Sequence, residues 1–76
     1  MRELKAADVM MNNKVKELRA RFGYSQEKLG EAVGVTRQTV AAIEKGDYVP
    51  SLLVALKICK TFSMAMEDVF WLEEEM

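Results

Sequence analysis

The sequence lacks histidine altogether and has a single cysteine, Cys59, in 76 residues. Without histidine there is no side chain that titrates near neutral pH unaided, and the commonest metal ligand is missing. One cysteine cannot close an internal disulfide, which fits a reducing compartment. The longest strongly apolar run, "SLLVALKIC", falls well short of the roughly 20 residues that span a bilayer. The opening "MRELKAADVM" has no apolar segment of the kind a signal peptide needs. There is no nucleophile–base pair suggested by spacing, no glycine-rich phosphate loop and no cofactor motif. The expectation is a cytoplasmic protein that is not an enzyme, uses no cofactor or metal and makes no membrane contact.

The chain is long enough for one small domain with one core. Half of its residues are hydrophobic and 30% are charged, as is usual for a globular domain. The net charge of −1 excludes a protein that coats nucleic acid by charge alone. The distribution is uneven. Residues 1–45 hold nine Lys/Arg and six Asp/Glu, a net of +3, and residues 46–76 hold two and six, a net of −4. One end of the molecule is therefore suited to an anion and the other is not, although two differently solvated surfaces would show the same split.

Hydrophobic spacing predicts helices separated by short turns. Val15, Leu18 and Phe22 fall on one helical face, with Asn12 or Asn13 to cap the start and Gly23 at the stop. Ser25 caps a second helix whose inner face is Leu29, Ala32 and Val33. Thr36 caps a third that ends at Gly46, and Ser51, after the only proline, Pro50, starts a fourth. In the fourth, Leu52, Leu56, Cys59 and Phe62 make the expected inner stripe, with Cys59 as buried packing. A short fifth helix is expected in "MEDVFWLEEE". No segment alternates as a strand does. The fold class expected is all-α with five helices. Residues 1–11 form an N-terminal extension, helical for a turn or frayed, and residues 12–76 the domain.

The third helix, within "GVTRQTVAAIEKG", has an unusual outer side. At about 100° per residue, Arg37, Ala41, Lys45, Gln38 and Ala42 fall in one arc of roughly 140°, and Val40, Ile43 and Thr36 lie opposite. No acid falls inside the arc, and Glu44 sits at its border. Arg can donate twice to guanine, Gln can pair with adenine, and Ala lets a backbone approach a thymine methyl. Composition alone would equally allow this side to pack on another helix.

The surrounding residues favour the first reading. "SQEKLGEAVGVTRQTVAAIEKGDYVPS" resembles the helix-turn-helix of the phage-repressor-like family, the lambda repressor/Cro or XRE type. Ser25-Gln26, Leu29, Gly34-Val35-Thr36, Val40, Ile43, Glu44, Gly46 and Pro50-Ser51 match its pattern without a gap, and the resemblance extends over roughly residues 13–70. It implies a five-helix lambda-repressor-like domain with the helix-turn-helix at about 25–45, binding double-stranded DNA as a transcriptional regulator. The simplest form is a homodimeric repressor on a two-fold operator. The resemblance makes Gln26 a phosphate contact and Thr36 a cap that also touches phosphate. Arg37 and Gln38 read bases, Ala42 packs near a base methyl, and Lys45 reaches a phosphate or base. Glu44 pairs with Arg19 as a structural bond. Lys14, Lys16, Arg21 and Lys28 are weaker candidates for phosphate contact, each equally accounted for as a solvated charge.

Three departures from the pattern stand out. Gly30 replaces the usual alanine, Ala41 and Ala42 leave few long side chains for the groove, and Ser63 and Ala65 stand where a glycine and a polar cap are common. The C-terminal apolar surplus of Phe70, Trp71 and Leu72 suggests an interface. The family's habit of dimerising through C-terminal helices makes these the expected homodimer contacts. The alternative is an antitoxin or protein-interaction module of the same fold, with a toxin as the protein partner of that end.

Overall fold

The computed structural model describes residues 9–74. Five helices are present, as the spacing predicts: α1 (Val15–Phe22), α2 (Gln26–Val33), α3 (Arg37–Lys45), α4 (Leu52–Phe62) and α5 (Met66–Val69). Two strands flank them, β1 (Val9–Asn13) before α1 and β2 (Phe70–Glu74) after α5. They pair antiparallel, from Val9 opposite Glu74 to Asn13 opposite Phe70. The all-α expectation is thus corrected to a mostly helical domain with a two-stranded ribbon. The extension expected for residues 1–11 ends inside β1, so its boundary cuts an ordered element; residues 1–8 lie outside the described residues.

The helix starts follow the polar residues expected of them. Ser25 Oγ accepts from the Lys28 amide at 3.0 Å, Thr36 Oγ1 from the Thr39 amide at 3.1 Å, and Ser51 Oγ from the Val54 amide at 3.2 Å. Each satisfies one of the N–H groups that a helix leaves free at its start. At the start of α1 it is Asn13 Oδ1 that accepts, from the Val15 amide at 3.1 Å. Between α2 and α3 the chain turns through Gly34 at φ +82°, a left-handed conformation that glycine adopts without strain. The amides of Gly34 and Val35 both bond to the Gly30 carbonyl, at 2.8 and 2.9 Å. Gly30 itself is buried, and a Cβ placed on it would lie 2.5 Å from the Val35 carbonyl oxygen. The turn therefore packs directly on the bare backbone of α2.

The core is one cluster: Val15, Leu18, Leu29, Val33, Val40, Ile43, Ala55, Ile58, Cys59, Phe62, Val69 and Phe70. Four expected core positions differ. Ala32 is exposed. Phe22 is half-exposed, although its ring stacks on Phe62 with centroids 5.4 Å apart. In α4 the stripe facing inward is Ala55, Ile58, Cys59 and Phe62, and Leu52 and Leu56 face solvent at 71% and 50% exposure. The first half of α4 is apolar on every side, so two stripes are available by spacing. Packing against α1, α2 and α5 selects the one centred on Ala55 and Ile58.

The C-terminal segment departs most from expectation. Only Met66–Val69 is helical, and Phe70 leaves the helix at φ −128°, ψ 137°. Met, Glu and Leu favour helix locally, but the ribbon gains ladder hydrogen bonds and buries Phe70 at 7% exposure. The Lys14 amide donates to the Val69 carbonyl at 2.9 Å and closes the base of the ribbon. Asn12 Nδ2 donates to Glu73 Oε2 at 2.6 Å across it.

Candidate nucleic-acid interface

Helix α3 is fixed from behind by Val40 and Ile43, each about 1% exposed. That placement turns Arg37, Gln38 and Lys45 outward, where all three are exposed, with Ala41 and Ala42 half-buried between them. Thr36 is exposed at the head of the helix. Its hydroxyl takes the Thr39 amide and lies 2.9 Å from the Thr39 hydroxyl. This second threonine, unremarked in the sequence, rigidifies the first turn. The outer side of α3 thus presents a cationic and amide-bearing surface with two small residues at its middle.

The one acid on α3 is withdrawn from that surface. Glu44 has a side chain only 5% exposed, and its Oε2 accepts from Arg19 Nε at 2.8 Å. Its Oε1 accepts from Gln26 Nε2 at 3.1 Å. Arg19 also donates through Nη1 to the Tyr24 carbonyl at 3.0 Å. One carboxylate therefore ties α1, α2 and α3 together, and its charge is met by a guanidinium in a largely enclosed site. The Arg19–Glu44 pair is the one the family pattern implies. Gln26 is half-buried, with one amide hydrogen committed to Glu44 and the rest of its side chain available at the start of α2.

Among the weaker basic candidates, Lys14, Lys16, Arg21 and Lys28 are all exposed. Arg21 lies 3.6 Å from Glu17 one turn away, both about 60% exposed, an arrangement worth little in water. Lys14 Nζ sits 6.0 Å from the centroid of the Trp71 ring. Phe70, expected on a dimer surface, belongs to the core of its own chain, because strand alternation turns it inward at the base of the ribbon. Trp71 and Leu72 remain exposed at 37% and 66%.

Asn13 went unnoticed beyond a capping role. Its Nδ2 donates to the Ile43 carbonyl at 2.9 Å, across to the last turn of α3. Nothing in the local sequence signals a bond to a residue 30 positions away. Cys59 is buried, 3.8 Å from the Met66 sulfur, and burial pushes its thiol up from the ordinary range. It stays protonated and acts as packing. Among the described residues no cluster of acids and cysteine could hold a metal, and no helix is long and apolar enough to cross a membrane.

Comparison with known proteins agrees with this geometry. The profile of the family described as helix-turn-helix matches residues 15–69. The chain is 92% identical over 65 residues to the uncharacterized HTH-type transcriptional regulator YgzD of Bacillus subtilis, covering 86% of this chain and 98% of that one. It is 49% identical over 65 residues to the uncharacterized HTH-type transcriptional regulator MJ0272 of Methanocaldococcus jannaschii, with 86% and 98% covered. Among solved structures, the transcriptional regulator VanUg superposes with a TM-score of 0.73 at 29% identity, over 99% of this chain and 100% of that chain. The restriction-modification controller protein C.AhdI of Aeromonas hydrophila superposes with a TM-score of 0.66 at 31% identity, over 72% and 83%. The chain belongs to the helix-turn-helix family of DNA-binding transcriptional regulators, in its XRE-type branch.

Proposed function

We propose that the chain is a cytoplasmic repressor that binds a two-fold operator as a homodimer, with α3 in the major groove. The observation that carries this is the acid-free outer side of α3, from which Glu44 is folded back onto Arg19 and Gln26. An exposed acid there would repel phosphate. Arg37 and Gln38, at the N-terminal end of the helix, read base edges. Ala42 sets the closeness of approach. Thr36, Gln26 with its free amide hydrogen, and Lys45 contact phosphates. Short side chains at 41 and 42 make base readout brief, so DNA shape contributes to selectivity. Blocking polymerase at the operator is the simplest regulatory consequence. The homodimer contacts are Trp71 and Leu72, without Phe70.

The test is a selection of bound sequences from random DNA. The wild-type protein should yield a two-fold motif with a guanine in each half-site. Arg37→Ala should lose that guanine preference, a discrimination of about 1–3 kcal/mol, with its fold intact. Identical motifs from the two proteins, or a motif without symmetry, would refute the assignment.

A second reading draws on Leu52, Leu53 and Leu56, which are 71%, 62% and 50% exposed on α4. An apolar surface of this kind also suits an antitoxin or interaction module that holds a partner protein. Stable co-purification of such a partner from the native host, with no enriched DNA motif, would favour it.

A further inference from the structure

The two bonds of Asn13 have opposite polarity. Its Oδ1 accepts from the Val15 amide, and its Nδ2 donates to the Ile43 carbonyl. A flipped amide would satisfy neither, so the orientation is fixed by its partners. Ile43 is in the last turn of α3, where carbonyls lack helical partners. The same carbonyl also accepts from the Gly46 amide at 3.0 Å. A cleft lined by Met11, Asn12 and Asn13 on one side and by Glu44–Asp47 and Val49 on the other separates β1 from this end of α3. Among the described residues, the Asn13–Ile43 bond is the only hydrogen bond between the ribbon and α3.

We infer that Asn13 is a positioning residue for operator recognition: with the base of the β1–β2 ribbon held by Phe70 and by the Lys14–Val69 bond, its side-chain amide is the direct tie that fixes the angle between ribbon and α3, and through it the spacing of the two recognition helices in the homodimer. The inference rests on the homodimer reading above, in which the ribbon, with Trp71 and Leu72 exposed on β2, meets a second copy. In such a dimer the separation of the α3 helices depends on two links in series, ribbon to ribbon and ribbon to α3. Half-site centres lie roughly 34 Å apart, so each helix is about 17 Å from the dyad, and a tilt of about 5° moves it by about 1.5 Å. Hydrogen bonds to base edges tolerate only a few tenths of an ångström. Contacts to one half-site are indifferent to this angle, because a single α3 can settle into its groove independently. Simultaneous contact with two half-sites is not.

The experiment compares wild type, Asn13→Asp and Asn13→Ala. Aspartate keeps an acceptor for the Val15 amide but loses the donor to Ile43, and alanine loses both without adding charge. Affinity is measured for a selected two-fold operator, the same operator with one base pair inserted at its centre, an isolated half-site and a scrambled duplex. Dimerisation is followed by sedimentation and folding by thermal melting. Wild type should prefer the correct spacing strongly. Both variants should dimerise, and should bind the half-site and scrambled duplex within about twofold of wild type. On the full operator they should lose about tenfold, and their preference for correct over inserted spacing should shrink. Wild-type operator affinity and spacing preference in the variants would overturn the inference. So would an equal loss on all four duplexes accompanied by a lower melting temperature, which marks a purely structural role. A wild-type protein that remains monomeric on DNA, or ignores spacing, would instead overturn the homodimer reading and the inference with it.

Discussion

Glu44 shows how one side chain can serve the fold and the surface together. Its carboxylate accepts from Arg19 and Gln26, and the same bonds take the only acid of α3 away from the exposed outer side of the helix. Removing it would leave the Arg19 guanidinium, itself only 18% exposed, without its partner. Unpairing a largely buried charge is costly, and the partial exposure of Arg19 reduces that cost. Glu44→Ala should therefore lower stability by about 2–3 kcal/mol, a drop of roughly 10–20 °C in melting temperature for a domain of this size. Glu44→Gln, which keeps acceptor capacity on one oxygen, should lose less. Thermal melting followed by circular dichroism measures both, and an Ala variant within about 0.5 kcal/mol of wild type, the ordinary spread for surface substitutions, would show that the network carries no stability.

At the scale of the element, α2 and its turn depend on an absent side chain. Gly30 stands where the family usually has alanine, and on propensity alone the alanine would stabilise a helix by about 1 kcal/mol. Here the Val35 carbonyl occupies the space, 2.5 Å from where the Cβ would be. Its partners are backbone atoms of the turn, which cannot swing aside as a flexible side chain does. Gly30→Ala should thus lower stability by about 1–2 kcal/mol, overpacking outweighing propensity. The shift should appear as a lower urea midpoint with an unchanged slope. A higher midpoint would mean that the turn has slack. The other departure, Ser63, resolves differently. It takes the left-handed conformation at φ 54° that a glycine would have had, so the family register continues into α5, whose cap residue Ala65 makes no side-chain bond.

For the whole molecule, the ribbon changes how the ends of the chain are used. A two-stranded sheet alone is marginal in water, and this one is anchored at its base by Phe70 in the core, by Lys14 to Val69 and by Asn13. Beyond the base, Trp71 and Leu72 remain open. Trp71→Ala combined with Leu72→Ala should shift the protein toward monomer in sedimentation without unfolding it, since neither residue is in the core. Affinity for a two-half-site operator should fall by an order of magnitude or more, and affinity for an isolated half-site should hold, because linked binding depends on effective concentration. If the double variant dimerises like wild type, the second copy sits elsewhere, and the exposed leucines of α4 become the next surface to test.

The sequence by itself determined what depends on near neighbours. Ser25, Thr36 and Ser51 place the helix starts, Gly34 the turn, and Val40 with Ile43 the inward side of α3. These follow from caps, left-handed turns and a 3.6-residue period, all of which act within a few positions. The exposed side of α3 and the Arg19–Glu44 pair were legible for the same reason, joined to a family pattern. Tertiary structure decided the rest. The ribbon joins segments about 60 residues apart, and neither "VMMNN" nor "FWLEE" alternates strongly enough to declare a strand; each is stabilised by its distant partner. The sequence pointed to the wrong phase of α4 because apolar residues surround its first half, and only contact with α1, α2 and α5 chose Ala55 and Ile58 as its inner side. The capping role of Asn13 was legible locally, but its bond to Ile43 was not, since that carbonyl is brought to it only when the helices pack.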